Sequence, residues 1–406
     1  MEQTILIRGA RQLLTLRGPA EIRRGALLQD LGIIVDGAAL IQGGKILAVG
    51  PSRRIENLRE AKSAFEIRAN GCLIMPGMVD SSLRLMLGGL QAALKKASVS
   101  TILAEATTIL RSTLQHGTIR AEIKAGGATP EADLRELRHA AKLSARSWHL
   151  VRTWLVRPGS DAAPGEFAAS CAPIIAAAVK KGLIHFFEVE VTPEQTAVAR
   201  ELLELASRAG VPCKLAWCGA ADSELLQIVS QTRLRSISHL TAMDARIAER
   251  LSQWPILLSL SPGGKLLGWD YNPFALRAYL DKGGAIVLGS GYDPVESPLL
   301  NLQMSIALAV FRLGLTAEEA ISAATINAAY ASGLGARCGS LEHGKDADLI
   351  LMNLPDYREL PRRFGMNHVS MVIRGGDIVF NRTGGKTPHP TEHIPESHAA
   401  HNRVRP

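Results

Sequence analysis

Short apolar runs alternate with amphipathic segments over most of the chain, from about Leu73 to residue 334. The apolar runs predict buried strands, and their alternation with helical patterns predicts a parallel sheet built from strand–helix units. Eight such units in about 250 residues are typical of a (β/α)8 barrel. One predicted strand ends near Asp80, and the other seven are Thr118–Lys124, Trp148–Val156, Ile184–Val191, Val211–Trp217, Ser236–Leu240, Ile256–Leu260 and Ala285–Ser290.

The predicted helices begin at residues that commonly cap helix N-termini. Thr129 directly precedes a proline, and this pair suits the cap and the first position of a helix. Thr192 with Gln195, and Thr316 with Glu319, each have the spacing of a capping box. These starts support the alternation of strands and helices.

The two chain ends show strand patterns without intervening helices. Ala39–Ile41 and Lys45–Val49 flank a Gly-Gly pair, which predicts a hairpin. Ala347–Met352 and Val369–Ile373 predict further strands near the other end. The simplest arrangement joins both ends in one β domain beside the barrel.

These patterns predict an α/β protein with two domains and a tail. Residues 73–334 form the barrel, and residues 1–72 together with 335–383 form a small composite β-sandwich. Residues 384–406 form a polar, proline-containing tail, a composition typical of disordered termini. Metal binding by the tail is the alternative, because it contains His389, His393, His398 and His401.

Composition describes an ordinary globular protein. Of the 406 residues, 47% are hydrophobic and 21% are charged, and no apolar run approaches the roughly 18 residues of a membrane span. The net charge of +8 comes without a nucleic-acid-binding motif, so we expect a basic surface and neither nucleic acid nor membrane as partner. The cysteines are odd in number and scattered, which predicts reduced thiols and a cytoplasmic location; they are Cys72, Cys171, Cys213, Cys218 and Cys338.

Several motifs in order resemble a known family. They are the opening strand Ile5–Leu13, the run Met75–Ser81, the stretch His116–Lys124, the strand Ser236–Leu240, and the closing runs Ala324–Ala329 and Gly339–Leu349. Together they resemble the amidohydrolase superfamily, most closely its imidazolonepropionase branch, over almost the whole chain. The resemblance implies the same barrel, with its active site at the carboxyl ends of the strands.

The resemblance also implies one zinc or iron ion at that end of the barrel. The family holds it with two histidines on the first strand, one on the fifth, and an aspartate on the eighth. The aligned residues here are Ser82, Arg84, Ala216 and Gly291, and Gly219 stands at a catalytic glutamate. A catalytic zinc site typically needs three protein ligands. We therefore expect that the metal site is lost and that no cofactor is used.

Arg84 gives this expectation a physical basis, because a guanidinium keeps its proton and repels a divalent ion. We hypothesise that it occupies part of the metal position and pairs with Glu122 or Glu188. Ala216 and Gly291 remove side-chain volume, so a pocket for a small molecule is expected at the barrel mouth.

Other chemistry-bearing residues have two interpretations each. Glu122 and Lys124 form either a binding or acid–base pair, or a structural ion pair inside the barrel. His239, a catalytic residue in the family, is either a residual general base or a satisfied core histidine. A nucleophile at Cys213 or Cys218 lacks a supporting motif, and buried thiols usually act as small hydrophobic groups.

The branch's substrate-binding groups do not carry over. Its arginine and aspartate after the first strand align near Gln91 and Leu90, its tyrosine near Gly127, and a histidine near Pro158. Asp293 is a further binding candidate, although an aspartate before a proline also suits a turn.

Two functions therefore compete. The first is a non-catalytic amidohydrolase-fold protein that binds a small molecule or serves as a scaffold. The alternative is an active hydrolase of carbon–nitrogen bonds in cyclic amides that uses an altered or metal-free site. Relatives of this kind are often homodimers, and the resemblance extends that expectation to this chain.

Overall fold

The computed structural model describes residues 3–85, 98–148, 150–263, 273–294 and 297–382. The predicted tail and the positions of Leu90 and Gln91 lie outside these ranges. Within them the chain forms two sheets. The strands are β1 Thr4–Leu14, β2 Ile33–Gln42, β3 Lys45–Pro51, β4 Phe65–Arg68, β5 Leu73–Pro76, β6 Met78–Leu83, β7 Thr118–Gly126, β8 Val151–Val156, β9 Phe186–Val191, β10 Cys213–Trp217, β11 Leu234–Ser238, β12 Leu257–Leu260, β13 Ala285–Leu288, β14 Leu349–Met352, β15 Val369–Arg374 and β16 Asp377–Asn381.

Strands β6 to β13 form a parallel barrel in chain order. The first and last strands meet through side-chain and loop contacts: Ser81 Oγ donates to the Leu288 carbonyl at 3.2 Å, and Arg84 N donates to the Tyr292 carbonyl at 2.9 Å. Each of the eight predicted strands overlaps an observed one. The predicted barrel is therefore confirmed.

Helices follow the barrel strands and cover the outside. Thr129 Oγ1 accepts from Ala132 N, and Thr316 exchanges two hydrogen bonds with Glu319, as the capping patterns predict. The helices are Ser52–Ile55, Val99–Gln115, Pro130–Leu143, Pro164–Lys180, Thr196–Arg208, Ser223–Gln231, Ala245–Leu251, Pro273–Asp281, Leu302–Leu313, Ala317–Ala324, Ile326–Ala331 and Glu359–Arg362.

The chain ends form one mixed sheet in the order β16-β15-β14-β5-β1-β2-β3, with β4 paired to β1. Gly43 and Gly44, with φ of 56° and 77°, make the hairpin turn between β2 and β3, a conformation that glycine adopts readily. A β domain built from both ends is thus present, as predicted.

The observed position of β5 places the start of the barrel later in the chain than predicted. The boundary was predicted between residues 72 and 73, but β5 pairs with β1 and β14 of the terminal sheet, and the chain enters the barrel only after Gly77. The run Leu73–Val79 is almost wholly apolar, so it carries no alternation that would separate the two strands. Residues 73–76 therefore belong to the terminal sheet and not to the barrel.

An ion-pair cluster joins the barrel to the terminal sheet. Arg120 on β7 contacts Asp348 at 2.6 Å and Asp346 at 3.2 Å, and all three side chains are buried. The helices of the described ranges lack the length and apolar character that crossing a bilayer would require.

Candidate functional site

The inside of the barrel carries charged side chains in layers. Side chains two residues apart on a strand point to the same side, so Glu122 and Lys124 on β7 both face inward, as do Glu188 and Glu190 on β9. The residue nearer the carboxyl end of each strand lies nearer the barrel mouth. Charge pairs between strands therefore form at successive levels along the barrel.

The deepest level is an ion pair between Glu122 and Lys214. The Lys214 ammonium is in close contact with Glu122 Oε2, and Thr153 Oγ1 donates to Glu122 Oε1 at 2.7 Å. The same ammonium lies 4.3 Å from the centre of the Phe186 ring. Burial lowers the pKa of Lys214, and the Glu122 carboxylate opposes that shift. The contacts are those of a structural pair.

The next level is the pair of Lys124 and Glu188. The ammonium of Lys124 lies 2.7 and 2.6 Å from the two oxygens of Glu188. Burial alone would raise the pKa of Glu188, but the charges of Lys124 and Lys214 hold it below its usual value. Both interpretations of Glu122 and Lys124 supposed that these two residues pair with each other, and this was wrong, because neighbours on one side of a strand reach across to other strands.

Arg84 forms the level nearest the mouth. Its guanidinium lies 2.7 Å from Glu190 Oε2 and 3.9 Å from Asp293 Oδ2, and Arg157 lies 2.7 Å from Glu190 Oε1. Burial opposes ionisation of Glu190, but the two arginines lower its pKa to about 2.

The proposed partners of Arg84 were thus wrong, although the side chain does point into the barrel. Arg84 follows the last residue of β6, whereas Glu188 lies one inward position below the end of β9. Glu190 lies at the level that Arg84 reaches. Glu122 and Glu188 already have lysine partners.

His239 follows directly after β11 and has φ of 62°, an uncommon conformation for a residue other than glycine. Its Nδ1 lies 3.2 Å from Ser238 Oγ, which lies 3.3 Å from Glu188 Oε1. Burial, together with the charges of Lys124 and Arg84, lowers the pKa of His239 to about 4, so the ring is neutral at pH 7.

Ser238 determines which nitrogen of His239 carries the proton. The Glu188 carboxylate only accepts, so the single Ser238 hydroxyl hydrogen is donated to it. Ser238 Oγ then accepts from His239 Nδ1–H. This assignment leaves Nε2 as an unprotonated acceptor, which is the form that a general base requires.

Asp80 was not recognised from the sequence as a site residue. Its Oδ1 accepts from the backbone N–H groups of Ser82 and Ser290 at 3.0 Å each, whereas Oδ2 has no hydrogen-bond partner among the described residues. Burial raises the pKa of Asp80 to about 6. The sequence analysis also did not recognise three other site residues, which are Glu190, Lys214 and Arg157. The alternation of side chains along β9 and β10 would have identified Glu190 and Lys214 as inward-facing.

The residues at the aligned metal positions do not fit a divalent ion. Arg84 is a cation, Ala216 is fully buried without a donor atom, and Ser82 contributes only a hydroxyl. Gly291 has φ of 64°, and a Cβ there would lie 2.5 Å from Ser261 Cβ, which excludes an aspartate in this backbone arrangement. The described ranges contain no group of three His, Cys, Asp or Glu residues that is arranged to hold a metal.

At Cys213 the structure argues against a thiol nucleophile. Cys213 is buried on β10, and burial raises the pKa of its thiol to about 12. A nucleophilic cysteine needs a lowered pKa, so Cys213 acts as a small core residue.

Comparison with known proteins identifies relatives over the full length. The model of the amidohydrolase family matches residues 272–379. The imidazolonepropionase of Chloroflexus aggregans is 30% identical over 424 residues, which cover 92% of this chain and 98% of that protein.

Two solved structures share the fold. A triazine hydrolase from Arthobacter aurescens has a TM-score of 0.71 and 17% identity, covering 94% of this chain and 95% of that chain. An adenosine deaminase from Xanthomonas campestris with bound zinc has a TM-score of 0.68 and 18% identity, covering 93% of each chain.

Proposed function

The chain belongs to the amidohydrolase family, in its imidazolonepropionase-like branch, and from this premise we propose that its barrel mouth binds a small polar molecule without the hydrolysis typical of the branch. The observation that carries the proposal is the ion pair between Arg84 and Glu190 at the position where the resemblance places a metal ligand.

Family membership corrects one expectation from the sequence. We expected from the sequence that no cofactor is used. This expectation was wrong, because membership of the family implies a metal ion. The adenosine deaminase of the same fold contains zinc. The described residues at the aligned positions do not supply the ligands, however. No step of the proposed function is therefore assigned to a metal.

The charges at the mouth supply complementary contacts for a small polar molecule. Arg157 is 42% exposed and holds one oxygen of Glu190, so its guanidinium is accessible from solvent beside the mouth. The carboxylate of Asp293 and the unprotonated Nε2 of His239 add acceptors. A ligand with both donors and acceptors suits this surface better than an apolar one.

A second candidate function is hydrolysis of a carbon–nitrogen bond in a cyclic amide. It is favoured by His239, which is neutral at pH 7 and has an unprotonated Nε2 because Ser238 holds the proton on Nδ1. In this candidate, His239 Nε2 takes a proton from the attacking water as a general base. The relatives named imidazolonepropionase also favour it.

One set of measurements separates the two functions. The full-length protein without an affinity tag is tested for turnover of imidazolone propionate and of a panel of five- and six-membered cyclic amides, with its metal content measured in parallel. Native mass spectrometry and calorimetry then measure binding of the same compounds. We expect binding without turnover.

Variants make the result specific to the barrel mouth. Arg157→Gln is expected to weaken binding, because it removes an exposed donor without leaving a fully buried charge. Arg53→Gln is the control, since Arg53 is exposed on the terminal sheet side of the molecule and forms no ion pair among the described residues. Turnover that His239→Ala abolishes would favour the hydrolase and overturn the binding proposal.

A further inference from the structure

A basic groove lies on the outside of the barrel, away from the mouth. It has a volume of about 410 Å³ and is lined by Arg135, Arg138, His139, Ala141, Lys142 and Leu183. We call it the helix-two groove, because most of these residues belong to Pro130–Leu143, the helix that follows the second barrel strand.

The helix-two groove lies towards the end of the barrel opposite the mouth. Leu183 comes before β9, at the amino-terminal end of that strand, whereas Glu190 and the rest of the candidate site lie at the carboxyl end. Arg138 and Lys142 are on the second half of their helix, which runs away from the mouth, and Arg135 lies just before its midpoint. The groove and the barrel mouth are therefore separate sites.

The cations of the groove lack acidic partners. Arg135, Arg138 and Lys142 are exposed, and none forms an ion pair with a residue in the described ranges. The one acidic side chain between them on the helix, Glu136, turns away and accepts from Gly126 N at 3.0 Å. Among the described residues, no ion pair thus compensates the repulsion of these three cations.

Arg152 lies beside the groove, because it contacts the turn that contains Leu183. Arg152 donates from Nε to the Leu183 carbonyl and from Nη2 to the Gly182 carbonyl, both at 2.8 Å. Lys180 and Lys181 end the neighbouring helix just before this turn and are exposed. Three of the residues that line the groove are thus cations, and Arg152, Lys180 and Lys181 lie on or beside the turn before Leu183, in a protein whose net charge is +8.

His139 completes the lining. It is half-buried between Arg138 and Lys142 along the helix, and burial, with the charges of Lys142 and Arg135, lowers its pKa. A neutral imidazole offers one N–H donor without adding to the repulsion.

We propose that the helix-two groove binds a small polyanion, a molecule with two or more phosphate or carboxylate groups. Arginine side chains bind both groups through paired hydrogen bonds, and lysine adds point charge. The volume lies within the roughly 300–1,000 Å³ of small-molecule sites, whereas a nucleic acid would be expected to use a longer basic surface with aromatic side chains. This site is independent of the function at the barrel mouth.

Calorimetry with inorganic triphosphate and with citrate tests the proposal and distinguishes phosphate from carboxylate ligands. Arg138→Glu/Lys142→Glu is expected to weaken binding of the better probe by at least about tenfold. Arg53→Glu/Arg54→Glu makes the same change of net charge at two exposed arginines of the terminal domain, and it should alter binding less than about twofold.

Equal weakening in both charge-reversal variants would overturn the proposal, because it would show attraction by net charge alone. Absence of binding by either probe at millimolar concentration would overturn it too. A short DNA duplex that binds through the groove while triphosphate does not would replace the small polyanion by a nucleic acid. Arg135→Gln/Lys142→Gln, which adds no negative charge, repeats the test if the first variant unfolds.

Discussion

The Glu190 carboxylate is held on both sides by arginine: Arg84 lies 2.7 Å from its Oε2 and Arg157 2.7 Å from its Oε1. Arg84 is only 9% exposed, and its charge is compensated within the protein by Glu190 and Asp293. Burial costs both ions hydration, and the close geometry offsets that cost only while both are present. The pair therefore fixes the charge distribution at the barrel mouth.

Removal of Arg84 should destabilise the protein moderately. We expect Arg84→Met to lower the free energy of unfolding by about 2 kcal/mol, below the roughly 3–5 kcal/mol for a wholly orphaned buried charge, because Arg157 remains beside Glu190. Urea unfolding of Arg84→Met, Glu190→Gln and the double variant measures this. A double variant whose loss equals the sum of the single losses would contradict the coupling.

The Lys124–Glu188 pair is more deeply buried and should respond more strongly. We expect Lys124→Met to cost about 3–5 kcal/mol and Lys124→Met/Glu188→Leu to recover much of that loss. Without Lys124, burial raises the pKa of Glu188, so the single variant should lose further stability as the pH rises from 5 to 8. Lys62→Met, at an exposed lysine, is the control and should stay within about 0.5 kcal/mol of the parent.

Asp80 and Glu190 should contribute to stability with opposite dependence on pH. The pKa of Asp80 is raised to about 6 in the folded protein, so its contribution is fully present below pH 3.8 and is lost as the pH rises through 6. The stability of the parent relative to Asp80→Asn should therefore fall by about 3 kcal/mol between pH 4 and 7.

Glu190 supplies the comparison for that measurement. Its folded pKa of about 2 lies below the ordinary value, so its contribution is present above pH 4.5 and is lost as the pH falls towards 2. The parent should gain stability relative to Glu190→Gln between pH 3 and 5. Two slopes of the same sign would contradict the assignment of these carboxyl groups.

The protonation state of His239 can be measured directly. In nitrogen-15 spectra, His239 should be neutral with the proton on Nδ1, and it should not titrate between pH 5 and 8, because its pKa is lowered to about 4. Ser238→Ala should shift the proton towards Nε2, and Ser238→Thr, which keeps a hydroxyl, should preserve the parent spectrum. An unchanged spectrum in Ser238→Ala would show that Ser238 does not fix the tautomer.

Gly291 should resist substitution more than another glycine with a similar backbone. A Cβ at Gly291 would lie 2.5 Å from Ser261 Cβ, whereas at Gly71, with φ of 75°, nothing lies within 4 Å. Both Gly→Ala changes cost about 1–2 kcal/mol of backbone strain. Gly291→Ala should cost about 1–3 kcal/mol more because of the steric clash, as measured by urea unfolding.

The barrel was predictable because each strand is an apolar run followed by a helical pattern. The charge pairs inside it were not. The alternation of side chains along a strand shows which of them share a face. Which side chains of two different strands lie at the same depth in the barrel depends on the stagger between the strands. The sequence of a single strand does not reveal that stagger. Arg84 was therefore assigned to Glu122 or Glu188 rather than to Glu190, and Glu122 was paired with Lys124 of its own strand rather than with Lys214.

The motifs alone predict which residues stand at the aligned metal positions, but they do not predict how the space around those residues is filled. Gly291 appeared only as missing volume, whereas the structure shows that Ser261 fills the space beside it. The His239 tautomer depends on a serine that has no motif of its own, and the contact appears only when β9 and β11 are placed in the barrel.

The position of β5 between β1 and β14 constrains how the protein is made. One edge of β5 pairs with β1, which is synthesised before it, but the other pairs with residues 349–352, which are synthesised only after all eight barrel strands. Until then the nascent chain exposes the open edge of an apolar strand directly before the barrel, a surface that chaperones cover. A chain cut short before residue 349 would keep that edge permanently and should aggregate.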